Sequence, residues 1–219
     1  MRAEAVATTH GDVSVVLDGS DGAGTLVVLA HGAGGDMNSE PMSALSAGLA
    51  GEDVAVCRFN FAYSEKGKRS PDRADVLEEV FRAVAERIRS SHGAGRIVLG
   101  GKSMGGRIAS QIVAGGWPAD ALLFLGYPLH PPGRPERMRD AHLPGIEVPM
   151  LFIEGTRDPF CPLETLQVVL AGLGGRATLA VIEDGDHSFK VRKSSGRSTT
   201  EAWQEVVRFA DQWIRGLAA

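Results

Sequence analysis

Short apolar runs alternate along this chain with stretches whose apolar positions recur every three or four residues. That alternation is expected of strands joined to neighbouring strands by crossover helices. The strand-like runs are 13–18, 25–30, 54–59, 97–100, 121–126, 150–155 and 177–182, and helical patterns fall at 41–50, 106–114, 163–170 and 199–217. The clearest helix opens at Ser70-Pro71, with Ser as cap and Pro in the first turn, and repeats apolar residues at Val76, Val80, Val84 and Ile88. Gly51 stops the helix at 41–50, and Ser198 with Glu201 has the spacing of a capping box before the last one. The order predicts an α/β fold, a mainly parallel central sheet flanked by helices, as a single domain over 1–219. No repeat, low-complexity tract or internal boundary interrupts it.

Composition narrows the function classes. With 219 residues and 43% hydrophobic content the chain can bury a substantial core without disulfides or metals. The 23 basic and 27 acidic residues nearly cancel at a formal charge of −4, so neither a nucleic-acid surface nor a polybasic membrane anchor is expected. The Arg-rich stretch 134–139 also holds Glu136 and reads as a solvated loop or helix face. Cys57 and Cys161 form no disulfide framework; Cys57 sits in an apolar run as a core residue, and Cys161 follows a strand-end loop. The amino terminus lacks the apolar core of a signal peptide, and no run reaches membrane-spanning length, so the expected location is cytoplasmic.

The chemistry gathers at the ends of four runs. Gly101-Lys102-Ser103-Met104-Gly105 lies between a strand and a helix, where a G-x-S-x-G elbow would project a serine hydroxyl above the sheet edge. His31-Gly32-Ala33-Gly34-Gly35 follows the run at 25–30 and would supply a small-residue loop with backbone N–H donors for an oxyanion, from Ala33 or Gly34, alongside Met104 after the serine. Asp158 follows 150–155, and His187 follows 177–182. The order serine, aspartate, histidine is that of α/β-hydrolases and differs from the chymotrypsin and subtilisin orders. Asp186 is the rival acid, disfavoured because adjacent residues rarely face each other. His31, Gly34, Tyr63, His130 and Phe160 lie on loops near the same sheet edge and are candidates for the pocket wall.

Two decoys fail. Gly101-Lys102-Ser103 mimics the end of a Walker motif, but the required upstream glycine position holds Arg96. The glycine-rich stretch 172–177 precedes a strand instead of following one, contrary to a dinucleotide fingerprint. No HExxH or Cys/His pairing occurs, so no metal and no cofactor is expected.

The strings HGAGG, FNFAY, GGKSMGGR, GYPLHPPG, EGTRDPF and DHSF resemble the α/β-hydrolase superfamily, specifically the small dienelactone-hydrolase-like proteins. They are most similar to bacterial relatives of the α/β-hydrolase-like domain found in a testis-expressed protein and in a subunit of a chromatin acetyltransferase complex. The resemblance covers nearly the whole chain beyond the first twenty or so residues. It implies Ser103 as nucleophile, Asp158 as acid, His187 as base, and Ala33 as the first oxyanion donor, because that residue directly follows His31-Gly32. The expected activity is serine-dependent cleavage of a small ester, thioester or lactone. The alternatives from the same residues are a peptidase or acyltransferase, or a non-catalytic interaction module. The expected partner is a small ester-type substrate, and nothing indicates a protein partner. The Pro-rich segment 127–149 is short for a helical lid, which predicts an open site.

Overall fold

The computed structural model describes residues 1–217. Eight strands form one sheet: β1 (Arg2–Val6), β2 (Val13–Asp18), β3 (Thr25–Ala30), β4 (Val54–Phe59), β5 (Arg96–Lys102), β6 (Ala121–Leu125), β7 (Met150–Gly155) and β8 (Ala177–Ile182). Their spatial order is β1-β2-β4-β3-β5-β6-β7-β8. The first two pairings, β1–β2 and β2–β4, are antiparallel, and every later one is parallel. The chain ends of β3, β5, β7 and β8 therefore meet on one edge, which is where an open parallel sheet places a ligand.

Both sheet faces are covered. On one, α3 (Ala74–His92) and α4 (Met104–Ala114) bury Leu77, Val80, Phe81, Ile88, Ile108 and Ile112 against alternate strand residues such as Leu99, Phe124 and Phe152. On the other, α1 (Glu40–Leu49) packs beside α6 (Thr199–Gly216), and both close over Val27, Leu123 and Leu151. The central strands β3, β4, β6 and β7 are buried along their whole length because they have a helix layer on each side. Each fully buried Leu, Ile or Phe contributes roughly 1.5–3 kcal/mol. Truncating Phe152 to Ala would cost about 3–5 kcal/mol and loosen the floor of the sheet edge. The capping box of α6 forms as its spacing predicts, with Ser198 and Glu201 bonding reciprocally. Two shorter helices complete the inventory, α2 (Ala62–Glu65) and α5 (Leu163–Ala171).

Three elements depart from the sequence expectation. Strand β1 gave no apolar signal because only Val6 is buried, and it pairs on one side as an edge. The α2 turn lies where only loop was expected. The helix expected to open at Ser70-Pro71 starts at Ala74: Arg73, in the cap position, is extended at φ −62° and ψ 158°, and Pro71 and Asp72 border a cavity instead. Val76 is only half-buried, and Leu77 takes the inward place, since a strict four-residue spacing drifts off a face that turns every 3.6 residues. Segment 127–149 carries one short 3-10 turn, Leu143–Gly145, and there is no lid domain.

Candidate active site

Strand β5 runs to Lys102 and α4 begins at Met104, so Ser103 alone makes the turn. Its backbone is forced to φ 51° and ψ −112°, a region that non-glycine residues rarely enter. The cause is the closeness of β3: a Cβ at Gly101 would lie 2.1 Å from the Ala30 carbonyl oxygen, and one at Gly105 would lie 2.2 Å from the same atom. Only glycine at both positions lets strand, turn and helix pass this close, and the hydroxyl is thereby projected off the sheet edge.

Loops after β7 and β8 are laced together. Thr156 N–H donates to Ile182 O at 3.1 Å, Arg157 N–H to Gly185 O at 2.8 Å, and Asp184 N–H to Thr156 Oγ1 at 2.8 Å. This lacing carries Asp158 to His187, whose Nδ1–H donates to Asp158 Oδ2 at 2.6 Å. On the far side of the ring, Nε2 accepts the Ser103 hydroxyl at 2.8 Å. The other Asp158 oxygen takes Phe160 N–H at 2.8 Å, and the Phe160 ring meets the imidazole edge-on at 4.7 Å. Asp186 is occupied elsewhere, accepting Ser188 N–H at 2.8 Å and Lys190 N–H at 2.9 Å in its own turn.

The glycine-rich loop is braced from behind. His31 is buried; its Nδ1–H donates to Gly32 O at 2.8 Å, which leaves Nε2 to accept Phe61 N–H at 3.1 Å. Burial holds the His31 pKa below its ordinary value, so the neutral ring that this acceptor role requires is the stable one. Tyr63 donates its hydroxyl to Gly32 O at 3.4 Å and accepts Gly34 N–H at 3.3 Å. His31, Gly34 and Tyr63, expected on the pocket wall, thus shape the loop without lining the cavity. Ala33 and Met104 do border it. Met104 opens α4, so its N–H has no helical acceptor, and no acceptor among the described residues takes either N–H.

Ser103 and His187 lie in a cavity of about 510 Å³ whose wall includes His130 and Phe160, as expected, but also Lys102, Arg107, Arg139 and Asp72. Arg107 was legible in principle: it stands four residues after Ser103, which caps its helix, hence one turn beyond it. Arg139 is far away in sequence and carries no such signal. Lys102 borders the cavity, and its ammonium is buried, 5.6 Å from the Phe189 ring and without a hydrogen-bond partner among the described residues. Burial brings its pKa down to about 8, against the attraction of Asp158 and Glu154. Glu154, equally buried, accepts Tyr127 N–H at 2.5 Å through one oxygen. Burial, then the charge of Asp158, push its pKa well above the usual carboxylate range. Cys161 is buried beside Glu154 and off the cavity, and burial drives its thiol pKa up, so it is not a nucleophile in waiting. Among the described residues no three His, Cys, Asp or Glu side chains are grouped as a metal ion would need, and no helix is long and apolar enough to cross a membrane.

A family model described as an alpha/beta hydrolase domain matches residues 23–215. Among solved structures, Est1E from Butyrivibrio proteoclasticus with ferulic acid bound superimposes with a TM-score of 0.81 at 14% identity, over 99% of each chain. Dienelactone hydrolase from Anabaena variabilis gives 0.75 at 18% identity, over 98% of this chain and 96% of that one. A serine hydrolase without a lid from Xanthomonas campestris gives 0.73 at 21%, over 97% and 94%. At these identities the likeness speaks for fold.

Proposed function

The chain belongs to the alpha/beta hydrolase domain family, and from that premise we propose that it is a serine hydrolase cleaving a small ester, thioester or lactone through an acyl-enzyme. The observation that carries this reading is the continuous line Ser103 Oγ, His187 Nε2, His187 Nδ1, Asp158 Oδ2, with hydrogen bonds of 2.8 and 2.6 Å, opening on a cavity. In this reading His187 takes the Ser103 proton as Oγ attacks the acyl carbon, and the imidazolium then gives that proton to the departing alkoxide or thiolate. Asp158 fixes the tautomer and stabilises the imidazolium. The N–H groups of Ala33 and Met104 hold the oxyanion, each contributing roughly 2.7–4 kcal/mol by analogy with donors removed elsewhere. Water then attacks the acyl-enzyme with His187 again as base, releasing the acid.

A fluorophosphonate tests the proposal, because only an activated serine reacts readily with it. We expect labelling at Ser103, and loss of both labelling and p-nitrophenyl acetate turnover in Ser103→Ala. Folded protein that resists several such probes and turns over no ester would refute the reading.

A further inference from the structure

The cavity wall carries charge that the hydrolytic mechanism does not use. Of its lining residues, Lys102, Arg107 and Arg139 are basic and Asp72 alone is acidic among the described residues. Arg107 donates through one terminal nitrogen to Gln111 Oε1 at 2.8 Å, while its buried Nε has no partner. The Arg139 side chain makes no hydrogen bond within the described residues. Among the described residues no carboxylate lies within 4.0 Å of either guanidinium: Glu78, the acidic neighbour of Arg107, is turned to Arg82 at 3.5 Å. Partly buried arginines are ordinarily paired. Here the two are close enough that the charge of Arg107, after burial, pulls down the pKa of Arg139.

The backbone of Arg139 is fixed. Its N–H donates to Leu129 O at 2.7 Å and its carbonyl accepts the Tyr127 hydroxyl at 2.9 Å, so its backbone is pinned to the sheet edge on both sides. The same segment is tied to α4 by Ser110 Oγ and His142 Nε2 at 2.7 Å, three residues from Arg107. Two arginines without an ion-pair partner within 4.0 Å among the described residues thus border the cavity from separate elements, beside the serine, with Asp72 the one acidic residue in the same wall.

We propose that Arg107 and Arg139 form an oxyanion-binding subsite, and that the substrate is an ester bearing a carboxylate or phosphate group. This rests on the hydrolase reading above and deepens it. A planar guanidinium fork binds either anion through paired N–H donors, and the partly desolvated wall strengthens the contact. The substrate anion would supply the missing counter-charge, orienting the ester over Ser103.

Matched substrates test the subsite without any mutation. Initial rates by pH-stat at low ionic strength compare monomethyl succinate with methyl butyrate for an anion on the acyl side. The compounds 4-acetoxybenzoate and 4-acetoxyphenyl phosphate, each against phenyl acetate, place carboxylate or phosphate on the leaving side. We expect at least one anionic ester to exceed its neutral partner tenfold or more in kcat/KM, with the advantage shrinking in 0.5 M NaCl. In Arg107→Gln/Arg139→Gln the anionic-to-neutral ratio should fall to about one, mainly through KM, and Arg139→Lys should restore part of it. If neutral esters are turned over as well as or better than every anionic partner, the subsite is refuted while the hydrolase reading stands. If Ser103 is not labelled and no ester is cleaved, the hydrolase reading itself falls, and the subsite with it.

Discussion

The approach of the acid loop to the histidine loop depends on the absence of one methyl group, and Gly155→Ala tests that dependence. A Cβ at Gly155 would lie 2.2 Å from Gly185 O, 2.6 Å from Gly185 C and 2.9 Å from Asp186 O. These are backbone atoms, so no flexible side chain can swing clear. Restoring ordinary contact requires the loops to part by about 1 Å, and His187 lies only two residues beyond Gly185. A displacement of about that size costs roughly 100-fold in rate, or about 2.7 kcal/mol of transition-state stabilisation. The added methyl should also cost about 1–3 kcal/mol of stability by overpacking. The assay is kcat/KM on p-nitrophenyl acetate with the fluorophosphonate labelling rate and a urea midpoint. Gly24→Ala serves as control, since its Cβ would meet nothing within 4 Å and its φ is ordinary. A Gly155→Ala enzyme within threefold of wild type at an unchanged midpoint would show that the loop spacing does not govern the relay.

Asp158→Asn should lower kcat by about 10⁴ by spoiling the histidine tautomer, whereas Asp186→Asn, which keeps its turn acceptor, should stay within about tenfold; a reversed order of severity in steady-state kinetics contradicts the assignment. Lys102 titrates near 8 in the fold against a usual value of 10.5, so over that window the unfolded chain holds the extra proton and this group makes stability rise with pH. The stability of wild type relative to Lys102→Met, read from urea unfolding, should therefore rise between pH 8 and 10, and a constant difference would refute the buried ammonium. Ser103→Gly should be about 0.5–2 kcal/mol more stable than Ser103→Ala, since only glycine relieves φ 51° without strain; equal urea midpoints would mean the turn stores none. Across p-nitrophenyl esters, acetyl to butyryl chains should be favoured over chains of about ten carbons, because an uncovered cleft cannot bury many methylenes at roughly 0.8 kcal/mol each. A monotonic rise in kcat/KM beyond eight carbons would contradict this.

Of the strands that carry the candidate site, β3 and β7 were legible because they are buried on both faces and read as continuous apolar runs, as Leu26 to Ala30 and Met150 to Ile153 do. Strand β1 and the true start of α3 were not, because their positions are set by partners distant in sequence. β1 is held by its pairing to β2, and Pro71 and Asp72 border the cavity, with Arg73 extended in the cap position, despite a serine and proline suited to opening a helix. In the site, Ser103, Asp158 and His187 could be named as candidates from the G-x-S-x-G motif and the order of residues at strand ends, and the family resemblance implied their roles. The second tier could not: whether His31 and Tyr63 face a ligand or brace a loop depends on which way a buried ring points, and the loop glycines constrain neither. The convergence of Arg107 with Arg139 needs the path of segment 127–149, which its prolines do not specify.

The distribution of unfavourable local features bears on the choice between enzyme and passive scaffold. Ser103 occupies a strained backbone conformation worth about 1–3 kcal/mol, and Gly101 of β5 and Gly105 of α4 both pass so close to the Ala30 carbonyl that glycine is obligatory at each. Lys102 and Glu154 each leave a buried polar atom unpartnered, and two arginines face a cavity with no carboxylate in contact. None of these is demanded by the sheet, whose core residues are fully buried on both faces and would fold as well over a relaxed turn. All of them lie at the carboxyl ends of β5 and β7, or on the elements that follow β5 and β6. A binding surface gains nothing from strain at a serine whose hydroxyl is already bonded to histidine. The acyl transfer proposed above does, because the strained turn holds Oγ at 2.8 Å from His187 Nε2 and leaves the first N–H of α4 without a helical acceptor, so that one distortion serves both the proposed nucleophile and the proposed oxyanion donor.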